Sequence, residues 1–159
     1  MTLLTPLKKR FSNVKHYATK GDIVMMRGEK VRAFIEAYCK IPEGAHVAQP
    51  IKLMKFQKQF ILDFYGNRHG TSRAYLSVAR KNGKSALIAA VMLAHLVGPE
   101  AKQNSQIISG ARSRDQASLV FKLAEKMIRL SPELSKIVRI VPSQKMLNGL
   151  ICKVKYKAI

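Results

Sequence analysis

Between residues 80 and 85 the chain reads Arg80-Lys81-Asn82-Gly83-Lys84-Ser85. This stretch follows an apolar run from Ala74 to Ala79, broken only by Ser77, and precedes an alanine- and leucine-rich stretch from Ala86 to Val97. A strand, a short loop ending in Gly-Lys-Ser and a helix are the layout of a phosphate-binding P-loop. In that layout the loop N–H groups and the helix N-terminus face the phosphates.

The loop departs from the usual P-loop pattern at one position. The pattern has a glycine five residues before Gly83, and this chain has Val78 there. Because a bare Gly-Lys-Ser also arises by chance, an ordinary basic turn before a core helix is the alternative interpretation. The apolar run before the loop and the helical stretch after it favour the P-loop.

The charge of the chain is strongly positive. Twenty-nine Lys and Arg against nine Asp and Glu give a net charge of +20 over 159 residues. Such a field attracts polyanions, with nucleic acid first and nucleotides or anionic membranes next. A solvated basic surface, or a piece of a larger protein with its acids elsewhere, is the alternative. The 47% hydrophobic content predicts one globular domain and excludes wholesale disorder.

Cysteines and apolar runs exclude several classes of site. Cys39 and Cys152 lie far apart without a Cys-x-x-Cys motif, which argues against zinc and favours reduced thiols in a cytoplasmic setting. No apolar run reaches the roughly 18 residues of a membrane span. Residues 1–20 are basic and acid-free, as in transit peptides, but lack a convincing arginine-rich amphipathic stripe.

The N-terminal part of the chain has helical periodicity. We expect a flexible basic arm over the first dozen residues, a loop over residues 41–50 and a turn from Gly66 to Thr71. The expected helices are Val14–Gly21, Lys30–Lys40, with its apolar residues at helical spacing, and Lys55–Tyr65, with a phenylalanine at every fourth position.

From residue 73 the pattern alternates between strands and helices. We expect strands at Arg73–Ala79, Gln106–Ser109, Ile137–Val141 and Gly149–Tyr156, and helices at Gly83–Val97 and Arg114–Leu130. This order after an N-terminal helical segment predicts an α/β fold with a parallel, P-loop NTPase-type sheet flanked by helices.

A second motif lies upstream of the loop. Phe56-Gln57 places a glutamine 27 residues before Lys84. A glutamine amide has both a donor and an acceptor, which matches the N6 and N7 edge of adenine, and the neighbouring aromatic ring can stack on the base. The alternative is that Phe56 belongs to the core and Gln57 lies on the solvent-exposed face of a helix.

Taken in order, these motifs resemble the large subunit of tailed-bacteriophage terminases, in the HK97-like branch. In that family the early P-loop glycine is typically absent and a basic residue precedes Gly-Lys, so Val78 supports the resemblance. The similar segments are His16–Cys39, Lys52–Ile61, Ala79–Ser85 and Ser109–Ala117.

The resemblance implies roles for individual residues. Lys84 would neutralise the β- and γ-phosphates of ATP and Ser85 would hold Mg²⁺, with Arg80, Lys81, Asn82 and Gly83 completing the nucleotide-binding loop. Gln57 would bind adenine, with Phe56 stacking on it. Arg80 is a candidate arginine finger and Arg112 a weaker one, and a solvated basic residue is the alternative for each.

The resemblance also implies a biological setting. Residues 1–50 would be a basic arm and N-terminal helices, and residues 51–159 part of a P-loop ATPase domain. In the full-length protein ATP would power translocation of double-stranded phage DNA into procapsids. The implied partners are a portal protein, a small terminase subunit and further copies in a ring, in the bacterial cytoplasm at the portal vertex, with no membrane.

The chain lacks two features of that family. After the P-loop its acids are Glu100, Asp115, Glu125 and Glu133, and none ends an apolar strand as a Walker B acid does. The acidic cluster of the nuclease domain is also missing. We therefore expect a truncated chain, such as a prophage remnant, that is inactive alone although the family is an ATPase with an associated endonuclease. A helicase-like P-loop motor fragment and a small basic DNA-binding module without a nucleotide site are the alternatives.

Overall fold

A computed structural model gives the fold and describes residues 26–67 and 70–159. The basic arm and the helix expected at Val14–Gly21 lie outside the described residues, and so does part of the turn expected from Gly66 to Thr71. The N-terminal part of the similar segment His16–Cys39 also lies outside them.

Among the described residues, four helices and one strand, followed by a short fifth helix, occupy positions 27–135. Helices α1, α2 and α3 come first, followed by strand β1, the long helix α4 and the short helix α5. Their bounds are Arg27–Tyr38, Lys55–Gly66, Lys84–Leu96, Gln106–Ser109, Arg114–Leu130 and Pro132–Ser135. Helix α4 begins after Ser113, whose hydroxyl accepts a hydrogen bond from the Gln116 N–H and so caps the helix.

The remaining strands complete a four-stranded sheet. Strand β2 is Val138–Val141, β3 is Met146–Gly149 and β4 is Lys155–Ala158, and the 3-10 turn Pro142–Gln144 joins the first two. The strand order is β1-β4-β3-β2. Strand β1 pairs with β4 in parallel, whereas β4 with β3 and β3 with β2 are antiparallel. The expected α/β class is confirmed, but the sheet is mixed because the chain returns twice through tight turns.

Two expected strands differ from the structure. Residues 73–79 are extended, with Leu76 and Val78 half-buried, but they form no ladder with another strand among the described residues. An apolar run alone does not make a strand, because a strand also needs a neighbour for its backbone groups. The strand expected at Gly149–Tyr156 is the end of β3, a turn and the start of β4. The turn includes Lys153 in the left-handed region, with φ of 51°.

One apolar core holds these elements together. Helix α3 packs against α4, helix α1 packs against α2 and α3, and α4 covers β4. The sheet contributes fully buried side chains such as Leu147 and Tyr156, and α1 contributes Phe34 and Ile35 to the same core. This core includes residues from both sides of the domain boundary expected at residue 50. The boundary therefore stays a prediction. No helix within residues 26–67 and 70–159 is long and apolar enough to cross a membrane.

Candidate functional site

The loop at the start of α3 has the backbone shape of a phosphate-binding turn. Gly83 is the N-cap of α3 and lies in the left-handed region, with φ of 68°, and Lys81 has φ of 66°. Gly83 has no side chain that could cap the helix, so the first N–H groups of α3 have no side-chain acceptor at the cap. Unpaired N–H groups at the positive end of a helix dipole form an anion site.

The ammonium of Lys84 lies over this loop. Its Nζ donates to the carbonyl oxygen of Val78 at 3.1 Å and approaches that of Ala79 at 3.5 Å. The amide of Asn82 donates to the Ala79 carbonyl at 3.4 Å. The carbonyl of Val78 makes the contact, so the residue type at this position does not disturb the loop. A phosphate would compete with these carbonyls for the lysine.

An open groove of about 750 Å³ lies beside the loop. The loop itself forms one wall, the connection between α1 and α2 forms the second, and Leu123 of α4 contributes the third. Its cationic side chains are Arg80, Lys81 and Lys84. Three cations facing one groove favour a polyphosphate ligand.

One acidic side chain also lines this groove, and no sequence motif predicted it there. Glu43 accepts a hydrogen bond from the Lys126 ammonium at 2.5 Å. Lys126 lies one turn after Leu123 on α4, so this ion pair joins two walls of the groove. The half-exposed pair contributes little to stability, and its visible effect is to hold the loop at Glu43 close to α4.

A smaller apolar cavity of about 210 Å³ lies on the other side of Gly83. Gln57 is buried in its wall with 6% of its surface exposed, so it does not lie on a solvent-facing helix surface. Its Oε1 accepts the Met54 N–H at 3.0 Å. This bond fixes the orientation of the amide, and Nε2 therefore points to the loop, 3.4 Å from where a Cβ on Gly83 would lie.

The apolar lining of this cavity comes from three segments. It comprises Ile41, Pro42, Ile51, Leu53, Met54, Ala86, Leu87 and Ala90. Phe56 is half-buried and is not part of this lining. The ring stacking expected of Phe56 therefore has no geometric support, and Met54 is the flexible apolar side chain at the cavity.

The cavity and the groove adjoin each other. Both are lined by Ile41, Pro42, Gly83 and Ala86. A planar apolar group in the cavity and an anionic group in the groove can therefore belong to one ligand that passes Gly83. This junction depends on residues 41 and 42, about 40 positions before the loop, and no sequence pattern indicated their approach.

Ser85, the expected Mg²⁺ ligand, is exposed at the start of α3. It lines the groove and also a third depression of about 320 Å³, together with Lys84 and apolar residues such as Leu76 and Ile88. Across residues 26–67 and 70–159, no three His, Cys, Asp or Glu side chains cluster as a metal site would require.

The remaining expected site residues are distributed unevenly. Arg80 and Lys81 line the groove, while Asn82 does not. Arg112 is exposed in the connection between β1 and α4 and does not line the groove either. The structure thus brings Gln57, Gly83, Lys84, Ser85, Arg80 and Lys81 together and leaves Phe56 and Arg112 apart from them.

A partly buried polar network lies at the far end of α3. The Tyr65 hydroxyl lies 2.7 Å from Nε2 of His95, and burial lowers the pKa of His95. Arg27 bonds both carboxylate oxygens of Glu100 and its guanidinium lies over the Tyr65 ring. The tautomer of neutral His95 decides which of the two groups donates this hydrogen bond. The network joins α1, α2 and α3 behind the loop.

The chain matches known proteins in both sequence and fold. A family model described as "Terminase large subunit, ATPase domain" matches residues 55–152. The chain is 60% identical over 135 residues to the terminase large subunit of Enterobacteria phage HK97, which covers 85% of this chain and 27% of that protein. The crystal structure of the HK97 bacteriophage large terminase matches with a TM-score of 0.79 and 59% identity, again over 85% of this chain and 27% of that one.

Proposed function

The chain belongs to the terminase large subunit family, matched over its ATPase domain, and from this premise we propose that the groove and the apolar cavity together bind one ATP molecule. The helicase-like and DNA-binding-module interpretations are not favoured. One observation carries the proposal: the cationic groove and the apolar cavity meet at Gly83, with the Gln57 amide facing the junction. The triphosphate would lie in the groove and the base in the cavity.

The loop and the start of α3 offer groups that would bind the phosphates and Mg²⁺. The first N–H groups of α3 and the Lys84 ammonium would bind the phosphates. Lys84 would exchange its bonds to the Val78 and Ala79 carbonyls for charge-assisted bonds to phosphate oxygens. The exposed Ser85 hydroxyl faces the same groove and is an oxygen donor of the kind Mg²⁺ prefers. Bound Mg²⁺ would neutralise phosphate charge.

Adenine recognition would depend on the fixed orientation of Gln57. Its Nε2 would donate to N7 of the base, and the second lone pair of Oε1 would accept from the N6 amino group. Guanine carries an acceptor where adenine has its N6 amino group. This acceptor would face Oε1, which is also an acceptor, and no hydrogen bond could form between them. We therefore propose a preference for ATP over GTP, with Met54 and Leu87 packing against the base.

Arg80 is the better placed of the two arginines considered as fingers. It lines the groove that would hold the triphosphate, and Arg112 does not. We propose that Arg80 stabilises the charge that develops on the γ-phosphate.

The activity of a complete terminase is a further proposal, since this chain spans 27% of the length of the HK97 protein. We propose that residues 51–159 are the nucleotide-binding portion of a motor that moves double-stranded phage DNA into procapsids. Its partners would be the portal protein, the small subunit and other copies in a ring, in the bacterial cytoplasm at the portal vertex. That the 159-residue chain hydrolyses no ATP alone stays a prediction, and measuring phosphate release tests it.

Binding of a fluorescent ATP analogue with Mg²⁺ tests the proposed function. Lys84→Ala should weaken binding about 10- to 100-fold, because it removes charge-assisted hydrogen bonds worth about 1.5 to 3 kcal/mol. Lys122→Ala is the matched control, since Lys122 is an exposed lysine on α4 that does not line the groove. Equal affinities for wild type, Lys84→Ala and Lys122→Ala would refute the proposal, as would a wild type that does not bind.

A further inference from the structure

The C-terminal part of the chain carries positive charge without any acid. Residues 134–159 contain six lysines and arginines and no aspartate or glutamate. This segment forms strands β2, β3 and β4, and three of the six cations, Arg139, Lys155 and Lys157, lie in the strands themselves. The nucleotide site proposed above uses none of these residues.

The strand register gathers part of this charge on one face. Arg139, Asn148, Lys155 and Gln106 are paired in one row across all four strands. Lys157 lies two residues along β4 from Lys155, and adjacent to Ile108, which is 60% exposed. Since alternate residues of a strand point to the same face, these side chains share one side of the sheet. The intervening row, with Leu147 and Tyr156, is buried against the helices.

The cations of this face have no carboxylate partners among residues 26–67 and 70–159. The acidic side chains that form ion pairs within these residues bind lysines and arginines outside the sheet face. Glu43, for example, binds Lys126, and Glu125 binds Arg129. Lys145, between β2 and β3, pairs with Asp115 of α4, away from the row. Arg139, Lys155 and Lys157 are exposed and form no such pair. Within the described part of the chain, no carboxylate therefore compensates their charge.

We propose that this basic sheet face, defined by Gln106, Arg139, Asn148, Lys155 and Lys157, binds the sugar–phosphate backbone of duplex DNA. The polar side chains of the face are ammonium, guanidinium and amide groups, which donate hydrogen bonds to phosphate oxygens. Ile108 and Met146 flank Lys157 in the neighbouring row. Lys155 and Lys157 stand about 7 Å apart along β4, and Arg139 about 10 Å away across two strands. This spread allows contacts with at least two phosphates.

The basic sheet face has no aromatic side chain on which a base could stack. This favours duplex over single-stranded nucleic acid as its ligand. Single-strand binders combine positive charge with aromatic side chains on which bases stack. The one aromatic of β4, Tyr156, is buried on the opposite side and hydrogen-bonded to Ser109. Contacts would thus be to the backbone and independent of base sequence. The inference rests on the proposed function only in choosing DNA as the polyanion.

The test measures affinity for a 20-base-pair duplex by fluorescence anisotropy at several salt concentrations. Lys155→Glu/Lys157→Glu should weaken binding by about tenfold or more and make the salt dependence of log K shallower by about two units. Lys30→Glu/Lys122→Glu is the control with the same charge change, because both lysines lie on helices and not on the sheet face. It should change affinity less than threefold.

Three further measurements keep the outcomes separate. If the reversal variant melts early, Lys155→Gln/Lys157→Gln tests the same contacts, since these lysines make no ion pair in residues 26–67 and 70–159. Mant-ATP binding by each variant shows whether the nucleotide site is intact, so a failed ATP site does not affect the DNA result. The inference is overturned if wild type does not bind duplex, or if the sheet-face and control variants lose affinity equally. It is also overturned if the sheet-face variant retains duplex binding and loses only binding to anionic phosphatidylserine vesicles.

Discussion

Gly149 holds the end of the nucleotide-binding helix close to the sheet. It is the last residue of β3, and a Cβ at this position would lie 2.6 Å from the carbonyl oxygen of Leu96, the last residue of α3. The same Cβ would also meet Val97 Cγ1 at 3.1 Å. Both neighbours are tightly placed, because Leu96 is fully buried. Gly149→Ala must therefore push α3 away from β3.

The magnitude follows from this contact. Ordinary van der Waals separation begins at 3.4 Å, so helix or strand must shift to accommodate the methyl group. Overpacking of a core costs about 1 to 3 kcal/mol. Alanine also restricts the unfolded chain, which offsets roughly 0.5 to 1 kcal/mol. We expect a net loss of about 1 to 2 kcal/mol, which corresponds to a fall in Tm of about 2 to 8 °C for a domain of this size.

The assay is urea unfolding followed by far-UV circular dichroism, with thermal melts in parallel. Gly66→Ala is the matched control, because Gly66 is the last residue of α2 and a Cβ there would meet nothing within 4 Å. This control should be neutral or raise stability by up to about 1 kcal/mol. If Gly149→Ala is as stable as wild type, or shifts in the same direction as Gly66→Ala, the close approach of β3 to α3 is wrong.

Three further predictions concern single groups. Tyr156→Phe should cost about 1 kcal/mol in urea unfolding, because the Ser109 hydroxyl donates to a carbonyl and so must accept from Tyr156 at 2.6 Å; an unchanged midpoint would contradict this. Burial lowers the pKa of His95 below 6.5, so the unfolded chain binds a proton first and the stability present above about pH 6.5 falls as the pH drops. His95→Gln, whose amide can either accept from Tyr65 or donate to it, should flatten this decline, and unfolding at pH 5.5 and 7.5 checks it. Lys81→Gly should raise Tm slightly by relieving left-handed strain of about 1 kcal/mol, and a lower Tm would count against that strain.

Local sequence signals predicted helices α1 to α4 and strand β1 well. The predicted bounds of α4 and β1 agree with the structure because amphipathic spacing and short apolar runs are local properties. The strand expected at the apolar run before the loop was wrong, because a strand needs a neighbouring strand for its backbone hydrogen bonds. Leu150-Ile151-Cys152 also looks like a strand in sequence, yet it forms part of a turn that begins where Gly149 meets α3.

The candidate site was predictable at its loop and less so around it. Gly83 and Lys84 were identified by a motif whose residues are adjacent in sequence. The amide chemistry of Gln57 and its position upstream of the loop indicated an adenine-binding residue, but no sequence pattern indicated its approach to Gly83. The placement of Glu43 in the groove, and of Met54 instead of Phe56 at the cavity, depends on how the connection between α1 and α2 packs against α3 and α4. Such tertiary contacts leave no local pattern in a single sequence.

The central claim is that one ATP places its base in the apolar cavity and its phosphates in the groove. Nuclear Overhauser effects between adenine protons and methyl-labelled protein, in the presence of Mg²⁺ and a non-hydrolysable ATP analogue, test it most directly. We expect contacts from adenine to the methyl groups of Met54 and Leu87, which line the cavity. Contacts to Leu76 and Ile88, which line the separate depression near Ser85, with none to Met54 or Leu87, would contradict the account.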